Sequence, residues 1–245
     1  AAGAASTDGV TPAAAVGQGT IAPTPLATWI AAAPPARTVA TTIEALQEFL
    51  TAAHDSITTH GLAVALTVVG EGTGDSDKRP PNPRLATLCG LALFTPAAPV
   101  PAIYIPLQHR YLGAPPQLSV AQALPLLAPT LTGSTPRKYV YSAKDALLLL
   151  ARHDVVLDGI AADPALCSYL LDAGADHSLA ALSAQLSDTY PPLPSREALC
   201  RGTGKHAIPF DQIHIDAAAD FAIAQARATY LVAATLLPRL DAGAQ

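Results

Sequence analysis

The stretch Leu62-Ala63-Val64-Ala65-Leu66-Thr67-Val68-Val69 decides the fold. It is a short, almost wholly apolar run with several β-branched residues, which is typical of a buried strand. A polar turn over residues 70–83 follows it, and two further apolar runs cover 85–94 and 102–107. Because the connections between the three runs are short, the pattern predicts an antiparallel meander.

Helical patterns flank these three strands on both sides. Thr41-Thr42-Ile43-Glu44 resembles a capping box and predicts a helix that ends before Gly61. Asp163-Pro164 reads as an N-cap followed by the first helical residue. The whole chain predicts an α/β domain with a mixed sheet flanked by helices. After the meander we expect helices over 119–131, 143–152, 163–171, 178–186 and 211–240, extended pieces over 138–141 and 155–160, and a loop over 187–207.

Residues 1–37 have a different composition from the rest of the chain. They are rich in alanine and proline, and their only charged residues are Asp8 and Arg37. No helical or strand period is visible, so this segment is predicted to be a linker. The folded domain is then expected over residues 38–245.

Composition excludes several classes of protein. Half of the 245 residues are apolar and only 13% are charged, so the chain can form a sizeable core. No apolar run is long enough for a membrane helix. The net charge of −5 disfavours a protein that binds DNA through a basic face. Three widely spaced cysteines predict neither a disulfide framework nor a zinc site, which favours a reducing, cytoplasmic setting. The chain has no methionine, so we expect a piece of a longer one.

Familiar catalytic motifs are missing from the sequence. Gly202-Thr203-Gly204-Lys205-His206 lacks the leading glycine and the final Ser or Thr of a phosphate loop. Gly70-Glu71-Gly72-Thr73-Gly74 follows a strand but precedes polar residues rather than a helix. Neither a His-Glu-x-x-His nor a Gly-x-Ser-x-Gly motif occurs. The first strand and the middle of the last helix carry no acid, so the centre of the domain looks chemically empty.

Several stretches nevertheless resemble the 3′–5′ exonuclease (proofreading) domain of bacterial family A DNA polymerases, the DNA polymerase I type. The resemblance covers roughly 200 residues in family order and implies an RNase H-like fold. It is carried by Tyr104–Pro115, Val156–Asp163, Ser168–Asp172, Gly204-Lys205 and Phe210–Ile213.

The chain departs from this family at its catalytic positions. The family's Asp-x-Glu motif falls on Thr67 and Val69, its Asn-x-x-x-Asp motif on Ser142 and Ala146, and its Tyr-x-x-x-Asp motif on Phe221 and Gln225. All four metal-binding carboxylates are therefore replaced. Two-metal catalysis needs such carboxylates to hold two Mg²⁺ ions about 4 Å apart. The resemblance thus implies that the catalytic and metal roles are lost and that no cofactor is bound.

Asp145 lies one helical position, about 100°, from the required direction. We expect apolar side chains such as Leu66, Val69 and Leu149 to fill part of the vacated cleft.

The prediction is a catalytically silent pseudo-enzyme domain within a DNA polymerase I that acts in DNA replication and repair. A 5′-nuclease domain would precede it and a polymerase domain, its main partner, would follow it. DNA would bind this domain only weakly, and no membrane would be involved. Two alternatives stay open: a free-standing RNase H-like scaffold or subunit, and a live exonuclease using unrecognised ligands such as Glu71, Asp145 and His153.

Overall fold

A six-stranded mixed sheet organises the domain, which confirms the α/β prediction. The computed structural model describes residues 35–70, 81–188, 190–201 and 207–243. The strand order is β1-β4-β3-β2-β5-β6. The strands are β1 Arg37–Val39, β2 Leu62–Val69, β3 Thr87–Phe94, β4 Ala102–Pro106, β5 Lys138–Tyr139 and β6 Ile160–Ala162.

The predicted meander is confirmed, because β2, β3 and β4 pair antiparallel. β5 joins the other edge of β2 in parallel, and β6 pairs in parallel with β5. Parallel neighbours need a crossover, and a helix supplies it between β5 and β6. β1 pairs in parallel with β4, so the sheet is mixed and β3 runs opposite to its other five strands.

Helices cover both faces of the sheet. One face packs against α1 to α4 through an apolar cluster, and the other face packs against α5, α6 and α8 through a second cluster. The helices are α1 Ile43–Ala52, α2 His54–His60, α3 Val120–Leu131, α4 Ala143–Ala151, α5 Pro164–Leu171, α6 Leu179–Ala184, α7 Arg196–Leu199 and α8 Ile215–Gly243.

Side chains cap three of the predicted helices, although Thr42 alone caps the first one in place of the capping box expected over Thr41 to Glu44. The Thr42 side chain accepts a hydrogen bond from the Ala45 amide at the start of α1. Ser119 forms a capping box with Gln122 at the start of α3. Asp163 caps α5, as the Asp-Pro pair predicts. Capping side chains satisfy amide groups that the first helical turn leaves without a partner.

The structure corrects four predicted elements. The linker prediction is wrong at Arg37, which begins β1 and is held by Asp220 of α8 at 2.7 Å. The single helix expected before Gly61 is two helices, α1 and α2. The loop expected over 187–207 contains the short α7. The last helix begins at Ile215 rather than Asp211, after a 3₁₀ turn at Phe210–Gln212.

Other element ends agree with the expected ones to within three residues, except that the extended piece expected over 155–160 pairs as β6 only from Ile160. Most of the predicted linker, residues 1–34, lies outside the described residues, as do the two glycine-rich loops beyond Gly70. None of the helices in the described ranges is both long and apolar enough to span a membrane.

Candidate functional site

A cleft of about 450 Å³ opens beside the carboxyl half of β2. β5 has only two residues and pairs with Leu62 and Ala63, so the rest of this edge of β2 has no neighbouring strand in the described ranges. α4 forms one wall of the cleft and α8 forms a second. The segment that leads into α7 forms a third wall.

Most side chains that line the cleft are apolar or uncharged. β2 contributes Leu66 and Val68 among others. The two long walls contribute Ser142, Asp145, Ala146 and Leu149 from the start and body of α4, and Phe221, Gln225 and Thr229 from α8. Because the cleft is still about 450 Å³, the expectation that Leu66, Val69 and Leu149 fill it is only partly right: Leu66 and Leu149 line it and Val69 does not.

Ser142 is held at an unusual backbone angle at the start of α4. Its φ of 56° lies in the left-handed region, and its side chain makes no cap bond. Asp163 replaces that cap from another part of the chain, since its Oδ2 accepts a hydrogen bond from the Ala143 amide at 2.8 Å. Its Oδ1 caps α5 through Ala165 at 3.0 Å. One carboxylate therefore fixes the start of α4, which lines the cleft, and the start of α5.

Asp145 and Arg196 are the only charged side chains among the described residues that line the cleft. Arg196 is 7% exposed, donates a hydrogen bond to the Val68 carbonyl and lies over the Phe210 ring, 4.7 Å from its centre. The sequence gives no signal for this arginine, because it contacts β2 from 128 positions away along the chain. A fixed cation thus lies against the end of β2.

Gln225 links α8 to the segment before α7. Its side-chain amide donates to the Pro194 carbonyl at 3.3 Å. An aspartate at this position could not make that contact, because a carboxylate has no hydrogen to donate. The residue in the family's third acidic position therefore helps to hold a cleft wall.

The positions expected for the first acidic motif lie at the end of β2, where the pairing with β3 is irregular between Thr67 and Val68. Thr67 is 2% exposed and does not line the cleft, and neither does Val69. Leu66 and Val68 line the cleft, and so do Val64 and Ala65, so residues from both alternating sets of β2 reach it. The assignment of the family's first acidic motif to Thr67 and Val69 stays a prediction.

Thr67 belongs instead to a buried hydrogen-bonded chain. Its Oγ1 donates to the Gly90 carbonyl at 3.1 Å and lies 3.1 Å from the Tyr104 hydroxyl. That hydroxyl lies 2.8 Å from His109 Nε2, and His109 Nδ1 lies 2.9 Å from the Ile213 carbonyl. A carbonyl can only accept, so Nδ1 carries the proton and Nε2 accepts from Tyr104. Gly90 permits this chain, because a Cβ there would overlap the Tyr104 hydroxyl.

Lowering the pH is expected to destabilise the domain through His109. Burial lowers the pKa of His109 below its usual 6.5, although its bond to Ile213 and the nearby Asp211 act in the opposite direction. The unfolded chain therefore binds this proton first, and the free energy of unfolding should fall as the pH drops from about 6.5 towards 5. Urea unfolding at several pH values measures this. A His109→Gln variant should show a weaker dependence, and an equal one would contradict the assignment.

The donors in the cleft do not fit a pair of Mg²⁺ ions. Mg²⁺ prefers several oxygen ligands, and carboxylates are the usual protein donors. Asp145 supplies the cleft's only carboxylate among the described residues, and the guanidinium of Arg196 adds positive charge to the same cleft. The described part of the chain contains no group of three His, Cys, Asp or Glu residues that could hold a metal.

Comparison with known families connects this cleft to a class of enzymes. The model of the ribonuclease H-like domain of DNA polymerase I matches residues 108–233, about half of the chain. The chain belongs to this family. The match confirms the predicted resemblance and covers α4 and the cleft-facing part of α8. It begins after β2, so the structure rather than the family model shows which β2 residues face the cleft.

The curated relatives of this DNA polymerase I domain are much longer proteins. DNA polymerase I of Rhizobium leguminosarum is 33% identical over 150 residues, which cover 58% of this chain and 14% of that protein. DNA polymerase I of Pseudomonas aeruginosa is 32% identical over 144 residues, covering 58% and 15%. The chain thus spans about one seventh of the length of these relatives.

Solved structures confirm the RNase H-like fold. Trypanosoma brucei RNase D in complex with RNA U12 has a TM-score of 0.63 at 12% identity, covering 86% of this chain and 65% of that one. The polymerase domain of Pol1 from M. smegmatis, in complex with DNA primer-template and dNTP, has a TM-score of 0.55 at 21% identity. That match covers 84% of this chain and 28% of that one. At these identities the likeness shows the fold alone.

The alternative ligands of a live exonuclease do not converge in the described structure. Asp145 lines the cleft beside Ala146, although its helical position suggested that it points elsewhere. His153 follows the end of α4 and does not line the cleft; burial and the neighbouring Arg152 lower its pKa. Glu71 lies outside the described residues.

Proposed function

We propose that this chain is an exonuclease-like domain without catalytic activity, which serves as a structural module of a DNA polymerase I-type enzyme in DNA replication and repair. The charge of the cleft carries the proposal: one carboxylate and one arginine stand where a two-metal nuclease needs several carboxylates. A cytoplasmic setting belongs to the same proposal, as do a 5′-nuclease domain before residue 1 and a polymerase domain after Gln245.

The greater length of the relatives favours a module over a free-standing scaffold. In both DNA polymerase I relatives the matched part makes up 14–15% of the protein. An inactive domain can still be needed in such a protein, because removing a packed neighbour exposes apolar surface on the rest.

The chain is expected to release no nucleotides from a labelled single strand in Mg²⁺ or Mn²⁺. Asp145 is the one carboxylate among the described residues of the cleft, and a single carboxylate cannot compensate the charge of two metal ions. The measurement is product release over time after rigorous repurification, with Asp145→Asn as the matched control. Metal-dependent release that survives repurification and is lost in Asp145→Asn would show that the domain is a live exonuclease.

Single-stranded DNA is expected to bind weakly. The chain has a net charge of −5, and among the described residues of the cleft only Arg196 is basic. The remaining attraction would come from Lys78, Arg79 and Arg84, of which only Arg84 is described; it is exposed. We expect a Kd weaker than about 1 µM near physiological salt, as for non-specific binding.

Fluorescence anisotropy with a labelled oligonucleotide measures this affinity. Replacing Lys78, Arg79 and Arg84 together by alanine should remove most of the residual binding. Sub-micromolar binding that persists in this variant would contradict the proposal, because it would indicate another nucleic-acid surface.

A further inference from the structure

α5 is an uncharged helix with an exposed apolar face. The residues of Pro164–Leu171 are PALCSYLL, none of which carries a charge. Leu166, Tyr169 and Leu170 are 61%, 55% and 72% exposed. Their spacing of three and four residues places them on the same side of the helix. A helix at a protein surface normally has a polar outer face, whereas one that is apolar all round is usually buried.

The opposite side of α5 is already buried in the domain. Cys167 is 6% exposed and belongs to the cluster that α8 forms with the sheet, and Ser168 is also 6% exposed. α5 is therefore packed on the domain through one side, and its exposed apolar face is a second, separate side.

The neighbourhood of α5 holds this face in a defined position. Asp163 caps the helix and is tied to the start of α4. The Ser168 hydroxyl lies 2.9 Å from His177 Nδ1, and the Tyr169 ring meets the His177 ring edge to face at 5.6 Å. The apolar face therefore has a fixed position on the domain.

Other exposed apolar side chains are scattered. Among the described residues, Leu85, Leu112, Leu147 and Val156 are also large, apolar and exposed, and each lies on a different element or loop. Single exposed apolar residues are normal, but a contiguous group marks an interaction surface. Of the described elements, only α5 carries three on one face.

We propose that Leu166, Tyr169 and Leu170 form the surface through which this domain docks on the polymerase part of the same polypeptide. The inference rests on the proposed structural role. The chain accounts for 28% of the Pol1 chain from M. smegmatis and for about one seventh of its curated relatives, so most of such a protein lies outside this domain. A partner on the same chain has a high effective concentration, so a small patch is sufficient to hold it.

The size of the patch disfavours a second copy as the partner. An eight-residue helix is about 12 Å long and about 10 Å wide. A stable interface between separate proteins needs about 800 Å² from each partner. The exposed face of α5 is much smaller than that. Such an area is sufficient for a covalently linked neighbour but not for a separate protein.

Hydroxyl-radical footprinting tests the proposal by comparing the 245-residue chain with the full-length polypeptide that contains it. We expect Leu166, Tyr169 and Leu170 to be labelled in the 245-residue chain and protected about tenfold or more in the longer one, since docking must be favoured by at least about 1.4 kcal/mol to be seen. Leu112 and Leu85 are the internal controls. Equal labelling of α5 in both polypeptides would overturn the proposal.

The pattern of protection separates this proposal from the proposed function. If another surface, such as the loop with Leu112, is protected instead, the docking face is wrong and the structural role stands. If no surface of the domain is protected, the structural role fails as well. Concentration-dependent dimerisation of the 245-residue chain that Leu170→Glu abolishes would also overturn the proposal, because it would assign the face to a second copy.

A substitution supplies the second readout. Leu166→Glu together with Leu170→Glu should remove the protection of Tyr169 in the full-length polypeptide, and should leave the melting temperature of the 245-residue chain unchanged because both side chains face solvent. Leu112→Glu is the matched control and should leave both the protection of Tyr169 and the melting temperature unchanged. Retained protection of Tyr169, or a lower melting temperature of the 245-residue chain, would show that the face is not a docking surface.

Discussion

Thr67→Asp is expected to destabilise the domain by about 3–5 kcal/mol, the usual cost of an uncompensated buried charge. The Thr67 side chain is 2% exposed, and its hydroxyl donates to the Gly90 carbonyl. An aspartate carboxylate at position 67 has no hydrogen to donate, so it would place an acceptor oxygen against the Gly90 carbonyl oxygen. The Tyr104 hydroxyl could donate to this carboxylate, but this hydroxyl already donates to His109. Such a loss is a large part of the stability of a typical domain.

Urea unfolding of three variants separates the causes of this loss. Thr67→Val removes the hydroxyl without adding charge and should cost about 1 kcal/mol. Leu66→Asp adds the same charge on the neighbouring residue, which faces the cleft, and should cost clearly less than Thr67→Asp. Equal losses of unfolding free energy for Leu66→Asp and Thr67→Asp would contradict the placement of Leu66 at the cleft and of Thr67 in the buried interior. The loss in Thr67→Asp should shrink at acidic pH, where the new carboxyl becomes neutral.

The central strands could be predicted from the sequence because their pattern is local. β2, β3 and β4 are continuous apolar runs separated by turn residues, and such runs form strands in most contexts. β1 could not be predicted in this way. It is three residues long and exists because Arg37–Val39 pairs with Ala102–Tyr104, while Arg37 also contacts Asp220. Tertiary contacts of this kind leave no periodic signal.

The emptiness of the cleft could also be predicted, but its exact composition could not. Counting acids in β2 and α8 requires only the sequence. Thr67 was expected at the cleft, but it is buried in a hydrogen-bonded chain with Tyr104 and His109, and such a chain leaves no periodic signal in the sequence. Arg196 enters the cleft from a distant segment, and Asp145 faces the cleft together with Ala146 although the helical angle disfavoured it. The positions of Arg196 and Asp145 depend on how distant segments pack around β2, which the local sequence pattern does not show.

Restoring four acids in the cleft is expected to make the stability of the domain depend on Mg²⁺. The variant combines Leu66→Asp and Val68→Glu on β2 with Ala146→Asp on α4 and Gln225→Asp on α8. All four side chains line one cleft, so the new carboxylates should repel one another when metal is absent. Gln225→Asp also removes the donor to Pro194. The metal-free variant should lose a few kcal/mol of unfolding free energy, because each acid is partly buried and unpaired.

Mg²⁺ should then recover part of that loss. A ligand at about 100 times its Kd stabilises the folded state by about 2.7 kcal/mol, which raises the melting temperature of a chain of this size by about 5–10 °C. The control variant carries Thr67→Asp and Val69→Glu in place of the two β2 substitutions. It should show no such recovery, because neither side chain lines the cleft. Thermal melts of both variants with and without Mg²⁺ test this expectation. Recovery in the control but not in the first variant would show that Thr67 and Val69 are the acidic positions of β2. Recovery in the first variant alone would show that the cleft kept the shape of a metal site after its ligands were replaced.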